Sequence, residues 1–436
     1  MRFRWVLPLV ALLWATPAYA FAGGADPVAP VALAVALILV AAKVGGEIAT
    51  RLGQPSVLGE LLVGVVMGNL SLTGFHGLEF IEASPSVDML ARLGVLLLLF
   101  EVGVESTVWQ MLKVGASATL VAVLGVVVPF ALGWGVGALL LPEASAYVHA
   151  FLGATLCATS VGITARVLRD LGRSETDESR VILGAAVIDD VLGLVVLAAV
   201  TGVIAAADAG TRMSVGAIGG IAGKAGVFLV GSLVLGVWLS PRLFHFASTL
   251  RSRGVLLAVG LAFCFLLAYL ASAFGLAAII GAFAAGLILE DLHFKDFVDR
   301  GEHSMTELLH PIVGFLAPVF FVLMGMKTDL RSFAQPGVLG LAAALTVAAI
   351  VGKQACSLGV LGRGIDRLSV GIGMVPRGEV GLIFANIGLG LTIAGQPVVS
   401  QSVFSALVVM VIVTTLVTPP ALRWSLGRRL VPSSTQ

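Results

Sequence analysis

The chain reads as an all-α polytopic membrane protein of about thirteen transmembrane helices, built as two inverted six-helix repeats with two discontinuous crossing helices. Three observations predict this class. Hydrophobic residues make up 58% of the chain and charged residues 12%, too little charge to cover a soluble surface. Apolar runs recur along nearly the whole length, and about 20 such residues cross a bilayer core of about 30 Å. Two of the runs are interrupted by polar and small residues near their middles.

Taken in order between charged or Gly/Pro-rich breaks, the spans fall near 28–50, 56–71, 87–106, 115–141, 146–171, 177–204, 214–239, 253–273, 275–289, 304–326, 337–361, 366–392 and 398–425. Ahead of them, residues 1–20 have the form of a secretory signal: basic Arg2 and Arg4, an apolar centre, and the exit Ala18-Tyr19-Ala20. Cleavage there leaves the mature amino terminus outside; the alternative is an uncleaved first helix. With that orientation the cytoplasmic connections carry most of the basic residues, among them Arg51, Arg173, Arg242, Arg367 and Arg428, and the outer side only Arg92, Arg212, Lys327 and Arg331. This is the positive-inside asymmetry, and it places the short tail 428–436 in the cytoplasm.

The net charge of +1 gives no basic surface for nucleic acid, and no phosphate loop or nucleophile–base arrangement points to a nucleotide site or an enzyme. Cys157, Cys264 and Cys356 each fall inside a span, widely spaced, and read as packing residues rather than a disulfide framework or metal site.

An ionisable group at mid-membrane costs a few kcal/mol, about 2.5 to 3.5 by insertion scales, so each needs a partner or a purpose. Most here lie near helix ends. Lys43 and Glu47 are placed for local pairing, and Glu60 lies in the first turns of the second span, after Pro55. Glu101 and Glu105 share a face of the third; their alternative use is a cytoplasmic funnel for cations. Four features fall instead at helix middles: Asp189-Asp190 in the sixth span, Lys353 close to the centre of the eleventh, Ala158-Thr159-Ser160 in the fifth, and Pro376-Arg377-Gly378-Glu379 in the twelfth.

The two interrupted spans are seven apart, an odd offset that makes them antiparallel. Paired broken helices in inverted repeats mark ion sites, because the freed backbone groups are tolerated only against protein or a water-filled cavity. Span 214–239 is then a linker. Charge compensation of the half-helix ends by Asp190, Arg377 and Glu379 is the bland alternative, but compensation alone does not require two adjacent carboxylates.

Together with Gln54-Pro55-Ser56-Val57-Leu58-Gly59-Glu60-Leu61 and Gly352-Lys353, these segments resemble the Kef/Nap-type cation:proton antiporters over about 28–425. The resemblance implies a dimerisation domain (28–106 and 253–326), a core transport domain (115–204 and 337–425), a homodimer, and elevator-like motion in a bacterial-type inner membrane. Paired acidic residues with a membrane lysine resemble the electrogenic sodium:proton branch. The expected division of labour makes Asp190 the principal ligand of transported Na+, with Asp189 paired to Lys353. Thr159 and Ser160 complete an oxygen shell. No resident cofactor is expected; the partners are Na+, Li+ or K+, protons and the bilayer. Open alternatives are potassium/proton antiport, a gated cation channel and a sodium-coupled symporter.

Overall fold

The computed structural model describes residues 28–428 except 106–114, 172, 174, 175, 209–214, 251, 253, 290–302, 336 and 363. The signal-like residues 1–20 and tail residues 429–436 lie outside the described part.

Helix α1 (Val28–Arg51) turns at Gly53 into α2 (Ser56–Gly68), and a 3-10 turn (Leu70–Thr73) and the short α3 (Glu79–Glu82) lead to α4 (Pro85–Glu105). Next come α5 (Ala116–Leu140), the pair α6 (Ala146–Cys157) and α7 (Val161–Asp170), α8 (Asp177–Asp208) and α9 (Val215–Ser248). The chain continues through α10 (Val255–Ala273), α11 (Ala278–Ile288), α12 (Met305–Met326) and α13 (Val338–Ala355). It ends with the pair α14 (Arg367–Gly373) and α15 (Gly378–Leu389), then α16 (Gln401–Gly427). Among the described residues, nine helices are long and apolar enough to cross a membrane, with shorter apolar helices at Ala146–Cys157, Ala278–Ile288 and Val380–Leu389.

The boundaries follow local chemistry. Ser304 and Glu307 close a reciprocal capping box at the start of α12, and Asp366 and Ser400 cap α14 and α16 through their side chains. Between α1 and α2, a β-carbon on Gly59 would collide with the Gly45 carbonyl, so only glycine allows that approach.

Helices α1, α2, α4, α10, α11 and α12 pack chiefly on one another, and α5, α6, α8, α13, α16 and the half-helices form a second group, with α9 against α8, α10 and α11. Three features depart from the sequence reading. The linker span runs to Ser248, well past 239. The twelfth run ends at Leu389 and gives way to a hairpin, β1 (Thr392–Ile393) antiparallel to β2 (Gln396–Pro397). Its turn residues Ala394 and Gly395 both have positive φ, as a tight hairpin turn demands, and Asp208 at the end of α8 accepts from the Ala394 amide at 2.8 Å. Finally, Glu47 pairs with Arg51 at 2.8 Å rather than with Lys43; Glu and Arg four apart in this order have the favourable helix geometry.

Candidate functional site

The two breaks meet. Between α6 and α7 residues 158–160 leave the helix, and between α14 and α15 residues 374–377 do the same. The Ser160 amide donates to the Pro376 carbonyl at 2.8 Å, and the Thr164 hydroxyl donates to the Gly373 carbonyl at 2.6 Å. Helix α15 restarts at Gly378 with φ +38, where a β-carbon would lie 2.5 Å from Ser160 Oγ; both conditions call for glycine. One amide freed by the first break is thus taken up by a carbonyl freed by the second, as an apolar surrounding favours.

Arg377 fastens the crossing. Its fully buried guanidinium donates to the Ala158 carbonyl at 2.6 Å and to the Ala349 carbonyl of α13 at 3.2 Å. It therefore ties one backbone oxygen of the first break to one inside α13. Pro376 supplies a carbonyl to the other strand of the crossing and has no amide hydrogen to satisfy. The Glu379 side chain lies outside the described part.

Beside the crossing, Lys353 Nζ stands 2.7 Å from Asp189 Oδ1, with neither side chain exposed. Lys353 belongs to the last turn of α13, not to the middle of its helix: after Ala355 the backbone tightens into a 3-10 turn, Cys356–Gly359. An ammonium there also faces the carbonyl end of a helix, which favours positive charge. Thr159 lies with its buried hydroxyl beside the Asp189 carboxylate. Asp190, the next residue, is partly buried; about 100° of helical rotation points it away from Asp189.

The sequence reading did not single out Gly125 of α5. A β-carbon there would lie 3.2 Å from Asp189 Oδ1 and 3.3 Å from Lys353 Nζ, so its bareness makes room for the ion pair. The signal available was a glycine set between Leu124 and Val126 in an apolar run that holds other glycines too. Thr415 of α16 was also missed; its hydroxyl accepts from the first amide of α15 at 3.4 Å. Glu101 and His310 approach to 3.6 Å at the far end of α4, away from this group.

Over residues 33–426 the sequence matches the family described as sodium/hydrogen exchanger, transmembrane. The chain belongs to that family. This exchanger-family chain is 37% identical to the High-affinity Na(+)/H(+) antiporter NhaS3 of Synechocystis, with 95% of each chain covered. It is 36% identical to the Na(+)/H(+)-K(+) antiporter GerN of Bacillus cereus, covering 91% of this chain and 96% of GerN. The solved structure of the sodium proton antiporter MjNhaP1 from Methanocaldococcus jannaschii superposes with a TM-score of 0.65 at 16% identity, covering 92% and 98% of the two chains. That likeness establishes the fold: the exchanger-family chain is a helical multi-pass membrane protein, the class its composition implies.

Proposed function

We propose that the chain is a secondary active sodium/proton antiporter whose ion site is Asp190 and Asp189, with Lys353 coupling sodium to protons. The observation that carries this reading is the fully buried Asp189–Lys353 pair set against the crossed helix breaks. A carboxylate in such a place keeps its charge only while a cation stands beside it. The ammonium and a sodium ion compete for that role, and oxygen donors from Asp190, Thr159, Ser160 and the breaks suit a hard cation. Sodium arrival releases Asp189 from Lys353 and sends protons off the site.

Two protons exchanged for one sodium move one net charge, worth about 2.3 kcal/mol per 100 mV of membrane potential, so the potential helps expel sodium. The reading extends to the two groups of helices: 28–106 with 253–326 serves as a dimerisation scaffold in a homodimer. The core, 115–204 with 337–425, slides past it, joined by the linker that starts at 214. The chain sits in a bacterial-type inner membrane with its C-terminus cytoplasmic, and the transported ions are its only inorganic partners.

Dye-reported proton flux in proteoliposomes, with sodium, lithium and potassium at zero and imposed potential, tests the proposal. Sodium-driven proton movement that responds to voltage is expected. No cation-driven proton movement would sink it, and continuous current without turnover would mark a channel. Potassium/proton exchange is the second reading, favoured by the potassium in the name of GerN; a potassium response without a sodium response would select it.

A further inference from the structure

Helix α5 packs on α13 and its 3-10 turn through residues four apart on one face, Val121, Gly125 and Pro129. A β-carbon on Gly359 would meet the Val121 amide nitrogen at 2.6 Å, and one on Gly352 would lie 3.0 Å from Pro129 Cα. The two helices therefore touch at both ends of this seam. Gly125 lies between those contacts, against the buried ion pair: its β-carbon would stand 3.2 Å from Asp189 Oδ1 and 3.3 Å from Lys353 Nζ.

Pro129 sits inside α5, and a proline within a helix has no amide hydrogen for the carbonyl four residues back. That carbonyl belongs to Gly125. The next one, on Val126, accepts from the Cys157 thiol at 3.3 Å, whereas among the described residues no side chain donates to that of Gly125. A backbone oxygen freed within a membrane span needs a donor from a neighbouring helix. The donor that the structure sets against this residue is the Lys353 ammonium.

Sodium that displaces Lys353 from Asp189 leaves the lysine in a dry place without its carboxylate. We propose that the Gly125 carbonyl is the alternate acceptor: the lysine moves from Asp189 Oδ1 to the α5 oxygen that Pro129 leaves bare, and returns when sodium departs. The flexible four-carbon stem of lysine allows the move. A carbonyl is neutral, so it shelters the N–H groups without outcompeting the carboxylate for them. Gly125 and Pro129 are then positioning residues, which set how readily the lysine yields its place. The proposal rests on the reading that a transported cation competes with Lys353 for Asp189.

The test follows sodium binding by the purified protein, read as the rise of its unfolding midpoint with sodium concentration. Pro129→Ala restores the amide, closes the hydrogen bond within α5 and takes the Gly125 carbonyl away from the lysine. Sodium affinity is expected to fall about tenfold, the lower end of what a hydrogen bond to a charged group contributes. In a Lys353→Ala background the same change should leave sodium affinity where it stands. Equal weakening in both backgrounds would reduce Pro129 to packing against Gly352 and overturn the proposal, as would no weakening in either. The wild type offers a second measurement that needs no substitution. With isotope-labelled glycine carbonyls, sodium should lower the infrared stretching frequency of a glycine carbonyl, because accepting an N–H weakens the C=O bond; no such shift would also overturn the proposal. If neither sodium nor potassium raises the midpoint of the wild type, the exchange reading falls and this proposal with it. If a cation does raise it while Pro129→Ala changes nothing, this proposal alone falls.

Discussion

Two aspartate–lysine pairs of equal length sit in this molecule in opposite circumstances. Asp88 and Lys327 approach to 2.7 Å with side chains 23% and 19% exposed, and Arg92 holds the same carboxylate at 2.6 Å. Asp189 and Lys353 approach to 2.7 Å with no exposure at all, and among the described residues no second salt bridge reaches Asp189. The first carboxylate is saturated by two cations. The second is held by one cation. Distance alone therefore does not separate a brace from the proposed exchange site; what separates them is how many cations hold the carboxylate and how dry its surroundings are.

The largest effect should come from Asp190→Asn, which removes the proposed sodium ligand without touching the buried pair. Sodium-dependent proton flux in proteoliposomes is expected to vanish, and flux at the wild-type rate would end the assignment. Lys353→Ala comes next. Removing one partner of a buried ion pair costs about 3 to 5 kcal/mol, so the unfolding midpoint should drop sharply at neutral pH, and any remaining transport should lose its response to voltage. Unaltered voltage-dependent transport would remove the lysine from the coupling scheme.

At the Asp88–Lys327 pair the same chemistry should matter little. Lys327→Met leaves Asp88 its Arg92, so a loss of about 1 kcal/mol or less is expected with flux unchanged; a loss as large as that of Lys353→Ala would erase the distinction. The smallest effect belongs to Glu82, in the loop helix before α4. Burial raises its carboxyl above the ordinary value of 4.5, opposed by Lys327 and reinforced by Asp329 and Glu79. A raised carboxylate weighs on the fold when ionised, so the penalty is absent below 4.5, grows as pH rises to the raised value, and stays constant above it. Glu82→Gln should lift the thermal midpoint slightly above that pH and not below it; the reverse order would contradict the burial.

Much of this was legible in the sequence because the bilayer makes polarity expensive. Apolar runs announce the helices, and a charge inside one stands out, which is how Asp189, Asp190, Lys353 and Arg377 were found. Boundaries were less legible. Lys353 lies in a last helical turn because the chain tightens after Ala355, and no residue type marks a change from α to 3-10 winding. Gly125 and Thr415 escaped because their importance comes from what other helices place beside them. The hairpin after Leu389 is too short for any alternation to register, although Gly395 marks its turn.

The clasp of Arg377 on Ala158 has a consequence for how the protein is made. Its two ends are 219 residues apart in the chain, and at 5 to 20 residues per second a ribosome needs about 10 to 45 s to cover that distance. Throughout this interval the carbonyl of Ala158 is already synthesised and its guanidinium is not. The fifth span must wait in the membrane with its broken turn sheltered by something else, so the crossing at the heart of the molecule is among the last parts to be completed during biogenesis.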